Sequence, residues 1–515
     1  MKLTTKILTL TGILLSPLMA AEKPNILFIA VDDLKPDLGC YGSKVVKTPN
    51  LDRLAKRGTL FLNAYANQSV CGPSRCSTFS SLRPDRTKVH DLKTDFLSVS
   101  PNVVTLPEHL KKHGYSTAGV GKLFHGGKSD GALEKRAWDL HTELDNLPYA
   151  EGFEPPVFHY QSKEAREAVN KLNEKQRKKY GLVKKALKEA KANPSTECLD
   201  IPDDAYADGA IRKEALNYMD QLSKGDKPFF IAVGFKKPHL AFVAPKKHWD
   251  LYEREKLPLA VWQKPAKGAP QYALHSWGEL KNYADIDQKA TSLTEAKQRE
   301  LIHGYYACTS YVDAQIGLLL DGLKQRGLDK NTIVVLWGDH GWHLGDHGVW
   351  CKHSNYEQAT RTVLMFAGPG VKPGVSTKSP TELIDIFPTL CDLSQTEMIP
   401  NLDGVSLKPL LEGGKEDLRE FAVSSYPRWK GMGYSLRDKR YRYTVWVDNK
   451  TPMVAYTELK GIMDEELYDY QTDTLETKNL ATSAEQAERI KAFRAKLDTH
   501  LQQQAERTAK QKSTN

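Results

Sequence analysis

Two adjacent carboxylates, Asp32 and Asp33, close an apolar run near the start of the chain, and Asp339 closes another much later, with His340 beside it. Neighbouring carboxylates disfavour joint ionisation, so such a pair calls for a compensating cation or partner. An oxygen-rich set of this kind suits a hard divalent ion, Ca2+ or Mg2+, better than zinc. Other groups that handle anions or protons stand in short clusters: Cys71-Gly72-Pro73-Ser74-Arg75, Gly121-Lys122 with His125, Lys236-Lys237-Pro238-His239, and Trp350-Cys351-Lys352. Fixed cations stabilise oxyanions and imidazoles transfer protons near neutral pH. His343, His347 and His353 crowd the loop after Asp339. Their spacing fits no helical H-E-x-x-H pattern, so they read as substrate-rim or structural residues rather than zinc ligands. Trp342 reads as core.

These clusters need a scaffold that brings them to one place. Asn25 to Val31, Ser116 to Val120, Phe229 to Gly234 and Thr332 to Trp337 are continuous apolar, β-branched runs, and each ends just before one of the polar clusters. Runs of this type suit a parallel sheet buried on both faces. Helices are expected between them, one opening at Asn50 as N-cap and closing at Gly58, another from about Ala284 to Gln325 with a break or two. The alternation predicts an α/β sandwich around a mainly parallel sheet, where ligands bind beyond the carboxyl ends of the strands. After about Pro400 the pattern changes. Phe421 to Tyr426, Gly433 to Arg437 and Tyr441 to Val447 read as an antiparallel sheet, and a polar helix from Ala484 to about Arg507 closes the chain.

The 515 residues, 40% hydrophobic and 27% charged, exclude collagen-like, disordered and disulfide-scaffold classes and allow one large domain with a smaller one attached. The formal charge of +9 is mostly local: residues 161–193 carry eleven basic and four acidic side chains. A lysine-rich helical stretch reads first as a solvated face, with a place at the substrate entrance as its functional alternative. No nucleic-acid motif accompanies it. Lys2 and Lys6, the apolar run Ile7 to Met19 and the small pair Ala20-Ala21 form an export signal, which predicts a periplasmic or extracellular protein. No later window is long and apolar enough to span a membrane. The seven cysteines show no C-x-x-C spacing, and an odd number in an exported protein leaves at least one unpaired.

Taken together and in order, these motifs resemble the type I sulfatases of the alkaline phosphatase-like superfamily, most closely the iduronate-2-sulfatase-like branch. The resemblance is carried by Val31-Asp32-Asp33-Leu34, Leu38 to Gly42, Ala64 to Arg75, Val120 to His125, the Lys-Pro-His element and Asp339-His340-Gly341-Trp342, and it covers most of the mature chain. It departs from the family at Phe79-Ser80-Ser81, where members usually carry Leu-Thr-Gly, outside the Cys, Pro, Ser, Arg core. The resemblance implies that a maturation enzyme oxidises Cys71 to Cα-formylglycine on the unfolded chain. One hydroxyl of the hydrated aldehyde then attacks sulfur and the other expels sulfate, an exit that a plain Ser or Cys ester lacks. It also implies one Ca2+ held by Asp32, Asp33, residue 71, Asp339 and His340. Arg75 and Lys122 would neutralise charge, His125 would take a proton, His239 would act as general acid and Lys352 would contact sulfate. The expected organisation is a signal peptide over 1–20, a catalytic domain over 21–395 and a smaller domain over 396–515. The expected substrate is a sulfated oligosaccharide or polysaccharide, with a 2-O-sulfated uronate favoured. A phosphate or phosphonate monoester hydrolase of the same fold, or a carbohydrate-binding relative without catalysis, are the competing expectations.

Overall fold

A computed structural model describes residues 23–125, 130–448 and 458–513, so the export signal lies outside the described residues. An eight-stranded sheet organises the molecule. In chain order its strands are β1 (Asn25–Val31), β2 (Gly58–Phe61), β3 (Ser116–Gly121), β4 (Leu140–Thr142), β5 (Phe229–Phe235), β6 (Thr332–Gly338), β7 (Leu364–Ala367) and β8 (Val375–Thr377), and their spatial order is β8-β2-β7-β6-β1-β5-β3-β4. β7 alone runs antiparallel to its neighbours. β1 lies between β5 and β6, parallel to both, with Val31 opposite Phe235 and Gly338.

The central strands bury both faces, as their apolar continuity requires. Ile26, Phe28 and Ala30 of β1 join Phe230, Ile333 and Trp337 in one core, while Leu27, Ile29 and Val31 join Ile231, Val233 and Leu336 in the other. This is the two-residue period of a pleated strand divided between two helical layers. Each fully buried large aliphatic side chain contributes roughly 1.5–3 kcal/mol, so few positions in these strands tolerate a polar residue.

Helix α1 (Pro49–Lys56) starts two residues earlier than expected, because Thr48 rather than Asn50 takes the N-cap position and Pro49 supplies the first helical residue. α2 (Cys71–Ser80) is entirely buried, and Pro73 stands inside its first turn rather than at its first position. α3 (Lys163–Asn170) and α4 (Tyr180–Glu189) come from the basic stretch. The long helix α5 (Glu295–Gln325) is continuous, and its start is fixed by the Thr294 side chain accepting from Lys297 N; residues 284–294, expected to be helical, are turns.

Leu407, Leu410 and Leu411 still pack in the first core before the small sheet begins. That sheet has four antiparallel strands, β9 (Ala422–Arg428), β10 (Gly431–Arg437), β11 (Tyr441–Asp448) and β12 (Ile462–Asp469). β12 was not expected. Helix α6 (Ala487–Ser513) packs Ile490, Phe493 and Leu497 against Tyr434, Tyr443 and Leu467 of the sheet. Among the described residues no helix is long and apolar enough to cross a membrane.

Candidate active site

Because β1, β3, β5 and β6 are parallel, the residues that follow them emerge on one edge of the sheet. Asp32-Asp33 follow β1, Lys122 follows β3, Lys236 to His239 follow β5, and Asp339-His340 follow β6. Two of these ends depend on glycine. Gly121 has φ +83°, and a Cβ there would lie 2.1 Å from the Gly234 carbonyl oxygen, so only glycine lets β3 approach β5 at the point where Lys122 turns into the pocket. A Cβ on Gly338, ahead of Asp339, would lie 2.6 Å from Thr362 Oγ1 and 2.7 Å from the Leu34 carbonyl oxygen. Asp33 itself adopts a left-handed backbone with φ 59°, a cost borne where its carboxylate is aimed.

Opposite this edge α2 delivers Cys71 as its first residue. No acidic side chain of its own occupies that first turn, so the positive end of the helix dipole faces the carboxylates of the pocket. The Cys71 sulfur lies 3.3 Å from His340 Nε2 and 3.9 Å from Asp33 Oδ1. One helical turn on, the buried Arg75 donates from Nε to Asp339 at 2.9 Å and from Nη2 to Asp32 at 3.2 Å, while Ser74 Oγ donates to the Asp339 carbonyl. Lys122 Nζ donates to Asp32 at 2.6 Å. Lys352 Nζ donates to both Asp33 oxygens at 3.0 Å and sits 4.8 Å over the Trp342 ring. Trp342 is buried in the core and presents that face to the lysine rather than to solvent.

Every residue expected in the site therefore converges, with His125 on the wall of the same cavity of about 980 Å3. One donor atom from each of Asp32, Asp33, Cys71 and His239 lie within 4.8 Å of one another, as do donors from Cys71, Asp339 and His340. Sequence reasoning missed Glu279. Its carboxylate accepts from Lys352 at 3.0 Å and lies 3.3 Å from His239 Nε2 and 3.2 Å from His353 Nε2. It sits in a loop with no motif of its own, and only tertiary folding brings it to Lys352. His353, read as rim or structural, is on the cavity wall and also bonds the Tyr426 hydroxyl of β9 at 2.8 Å. His343 is buried against Ser354 Oγ, and His347 packs against the Tyr356 ring. The basic stretch is not wholly a solvated face: Tyr180, Lys184 and Leu187 of α4 line the same cavity as Cys71.

Electrostatics follow from burial and pairing. Burial works to raise the Asp32 carboxyl, but Lys122, His239 and Arg75 outweigh it and hold the group well below the usual carboxylate range. Burial pushes Asp33 up, with Asp32, Glu279 and Asp339 adding to the effect against Lys352. Burial, then Asp32, pushes the Cys71 thiol well above its ordinary value, so an unmodified Cys71 stays protonated and weakly nucleophilic. Burial and Lys122 bring His125 down to about 3, and burial brings His340 down to about 4.

Four carboxylates, Asp32, Asp33, Asp339 and Glu279, face three fixed cations, Arg75, Lys122 and Lys352. Whether or not Asp33 is ionised, the cluster has no net positive charge to receive an anionic ester, and a divalent cation provides it. His340 is prepared for such an ion. Its Nδ1 donates to the Gly341 carbonyl at 2.9 Å, which leaves the Nε2 lone pair directed toward Asp33 and Cys71. The donor set thus fits a hard divalent cation.

Two family models match the chain. The sulfatase model covers residues 24–396, and the model for the C-terminal region of N-sulphoglucosamine sulphohydrolase covers residues 345–504. Human iduronate 2-sulfatase is 32% identical, across 88% of this chain and 90% of the relative. A solved structure with the substrate D-glucosamine-2-N,6-O-disulfate superposes with a TM-score of 0.69 at 22% identity, over 94% of this chain and 98% of the other. A phosphonate monoester hydrolase from Silicibacter pomeroyi superposes with a TM-score of 0.70 at 21% identity, over 94% and 96%. At these identities the two structures speak for the fold alone.

Proposed function

Since this chain belongs to the sulfatase family and is a sulfuric ester hydrolase, we propose that it removes sulfate from a sulfated carbohydrate outside the cytoplasm, with a 2-O-sulfated uronate as the favoured substrate. The observation that carries the reading is the convergence of residue 71 with the Asp32, Asp33, Asp339 and His340 donors and with Arg75, Lys122 and Lys352 in one buried pocket. The choice of a 2-O-sulfated uronate is supported by likeness to the human relative.

In this mechanism residue 71 acts after oxidation by a maturation enzyme to Cα-formylglycine, whose hydrated aldehyde offers the attacking hydroxyl. Asp32, Asp33, Asp339, His340 and the residue 71 side chain would hold a Ca2+ ion, which would supply Lewis acidity toward the sulfate oxygens. Arg75 and Lys122 bind Asp32 and leave their remaining positive potential on the oxygens at residue 71. Lys352, braced by Asp33, Glu279 and the Trp342 ring, orients the sulfate group.

His239 carries the proton for the leaving sugar oxygen. Its Nδ1 donates to the Leu240 carbonyl, so the tautomer is fixed and Nε2 is the atom that gives and regains the proton. Burial, then Lys352 and Lys122, hold the ring well below its ordinary value against the opposing pull of Asp32 and of Glu279, 3.3 Å from Nε2, so the proton it gives is a weakly held one. His125, kept neutral by burial and Lys122, accepts the proton that releases sulfate from residue 71.

Peptide mass spectrometry on protein from its native host tests the reading. Conversion of Cys71 to the aldehyde together with sulfate release from a defined disulfated disaccharide is expected. An untouched thiol with no turnover would contradict it and favour a binding protein.

A further inference from the structure

The cavity reaches well past the catalytic groups. At about 980 Å3 it lies at the upper end of small-molecule sites, more than a sulfate and one sugar ring fill. Its outer wall is built from the basic stretch. Aromatic rings run outward from the catalytic histidine: His239 stacks on His159 with centroids 6.1 Å apart, His159 touches Phe158 at 4.3 Å, and Phe158 touches Tyr180 at 5.1 Å. Tyr180 ends the row with 65% of its surface exposed, unusual for a large side chain lining a cavity. Lys184 stands one turn further along α4, on the same face as Tyr180. Leu92, 44% exposed and next to Gly72, and Lys93 line the same cavity. Neither Lys184 nor Lys93 has an ion-pair partner among the described residues, although most cations around the catalytic groups are paired.

An exposed aromatic face beside unpaired ammonium groups suits a sugar ring, whose C–H face stacks on the aromatic and whose carboxylate or sulfate meets the lysines. We propose that Tyr180, Lys184, Leu92 and Lys93 form a second subsite, which binds an anionic sugar next to the one that carries the scissile sulfate. The inference rests on the carbohydrate reading above and deepens it: the preferred substrate is an anionic oligosaccharide rather than a single sulfated sugar.

The test compares wild type with Tyr180→Ala and with the double variant Lys93→Ala/Lys184→Ala on a sulfated uronate monosaccharide and on a tetrasaccharide ending in that unit. On the tetrasaccharide each variant loses about tenfold in kcat/KM, mainly through KM, and on the monosaccharide each matches wild type. Equal losses on both sugars, or no loss on either, overturn the subsite. If wild type hydrolyses neither sugar, the carbohydrate reading fails separately. Calorimetric titration with the same tetrasaccharide then decides the subsite: weaker binding by both variants supports it, and unchanged binding overturns it.

Discussion

At the residue scale the pocket works by opposing charges that few side chains could replace. Arg75 is fully buried between Asp32 and Asp339, and removing it takes a fixed cation away from two buried carboxylates. His239 differs because it is part-exposed on the cavity wall, where its ring stacks on His159, itself a lining residue of the same cavity. His239→Ala is therefore expected to lower kcat by about 10²–10⁴ with the thermal midpoint nearly unchanged, measured by turnover and calorimetry on one preparation. A fall in midpoint in proportion to lost activity would make its role structural. The site was legible here wherever a motif carried it. Asp32-Asp33, Cys71 to Arg75 and Asp339-His340 announce themselves by type and spacing. Glu279 does not, since a lone glutamate in a loop has no local signature and gains its meaning from contact with Lys352, far along the chain.

At the element scale the strand ends are what bring distant residues together, and glycine sets how closely they approach. Gly121→Ala would force a Cβ into the Gly234 carbonyl at a positive φ. It is expected to cost about 1–3 kcal/mol and to reduce activity beyond that loss of stability, because Lys122 moves with the strand end. Urea melts and assays on the folded fraction separate the two effects.

The small sheet is fastened by Glu357, which pairs with Arg437 and Arg442 of β10 and β11. Burial works against its ionisation, but Arg437, Arg442 and Arg361 bring its pKa from 4.5 to about 2. A depressed carboxyl contributes stability that is complete above its unfolded value and is lost as pH falls through the folded one. Glu357→Gln is thus expected to destabilise the protein by about 3 kcal/mol at pH 7, with the gap from wild type shrinking from pH 4.5 toward pH 2. A gap of equal size at pH 3 and pH 7 would refute that role. The four buried parallel strands were readable from their apolar runs. β12 was not, because its first half, Ile462 to Glu465, is largely solvent-facing and its buried half, Glu466 to Asp469, sets two acidic residues beside Leu467 and Tyr468. The turns over 284–294 read as helix because nothing in their periodicity marked Thr294 as the true cap.

At the scale of the whole molecule one edge of a large sheet, a buried helix start and a basic stretch share a single cavity, and the local charge of residues 161–193 accounts for most of the excess of +9. The fold class was legible because alternating strands and helices permit few arrangements. That α4 would line the cavity was not decided by composition, since a lysine-rich helix reads the same on a free surface and at a substrate entrance. Holding a divalent ion should also stabilise the whole chain. Chelation is expected to lower the thermal midpoint and abolish turnover, with Ca2+ restoring both. Restoration by Zn2+ alone would contradict the oxygen-rich donor set.

The most direct measurement is kcat/KM for wild-type protein on paired 4-nitrophenyl sulfate and 4-nitrophenyl phosphate. A clear preference for the sulfate ester, absent in Cys71→Ala, is predicted. A strong preference for the phosphate would make this a phosphoryl hydrolase on the same scaffold and contradict the account.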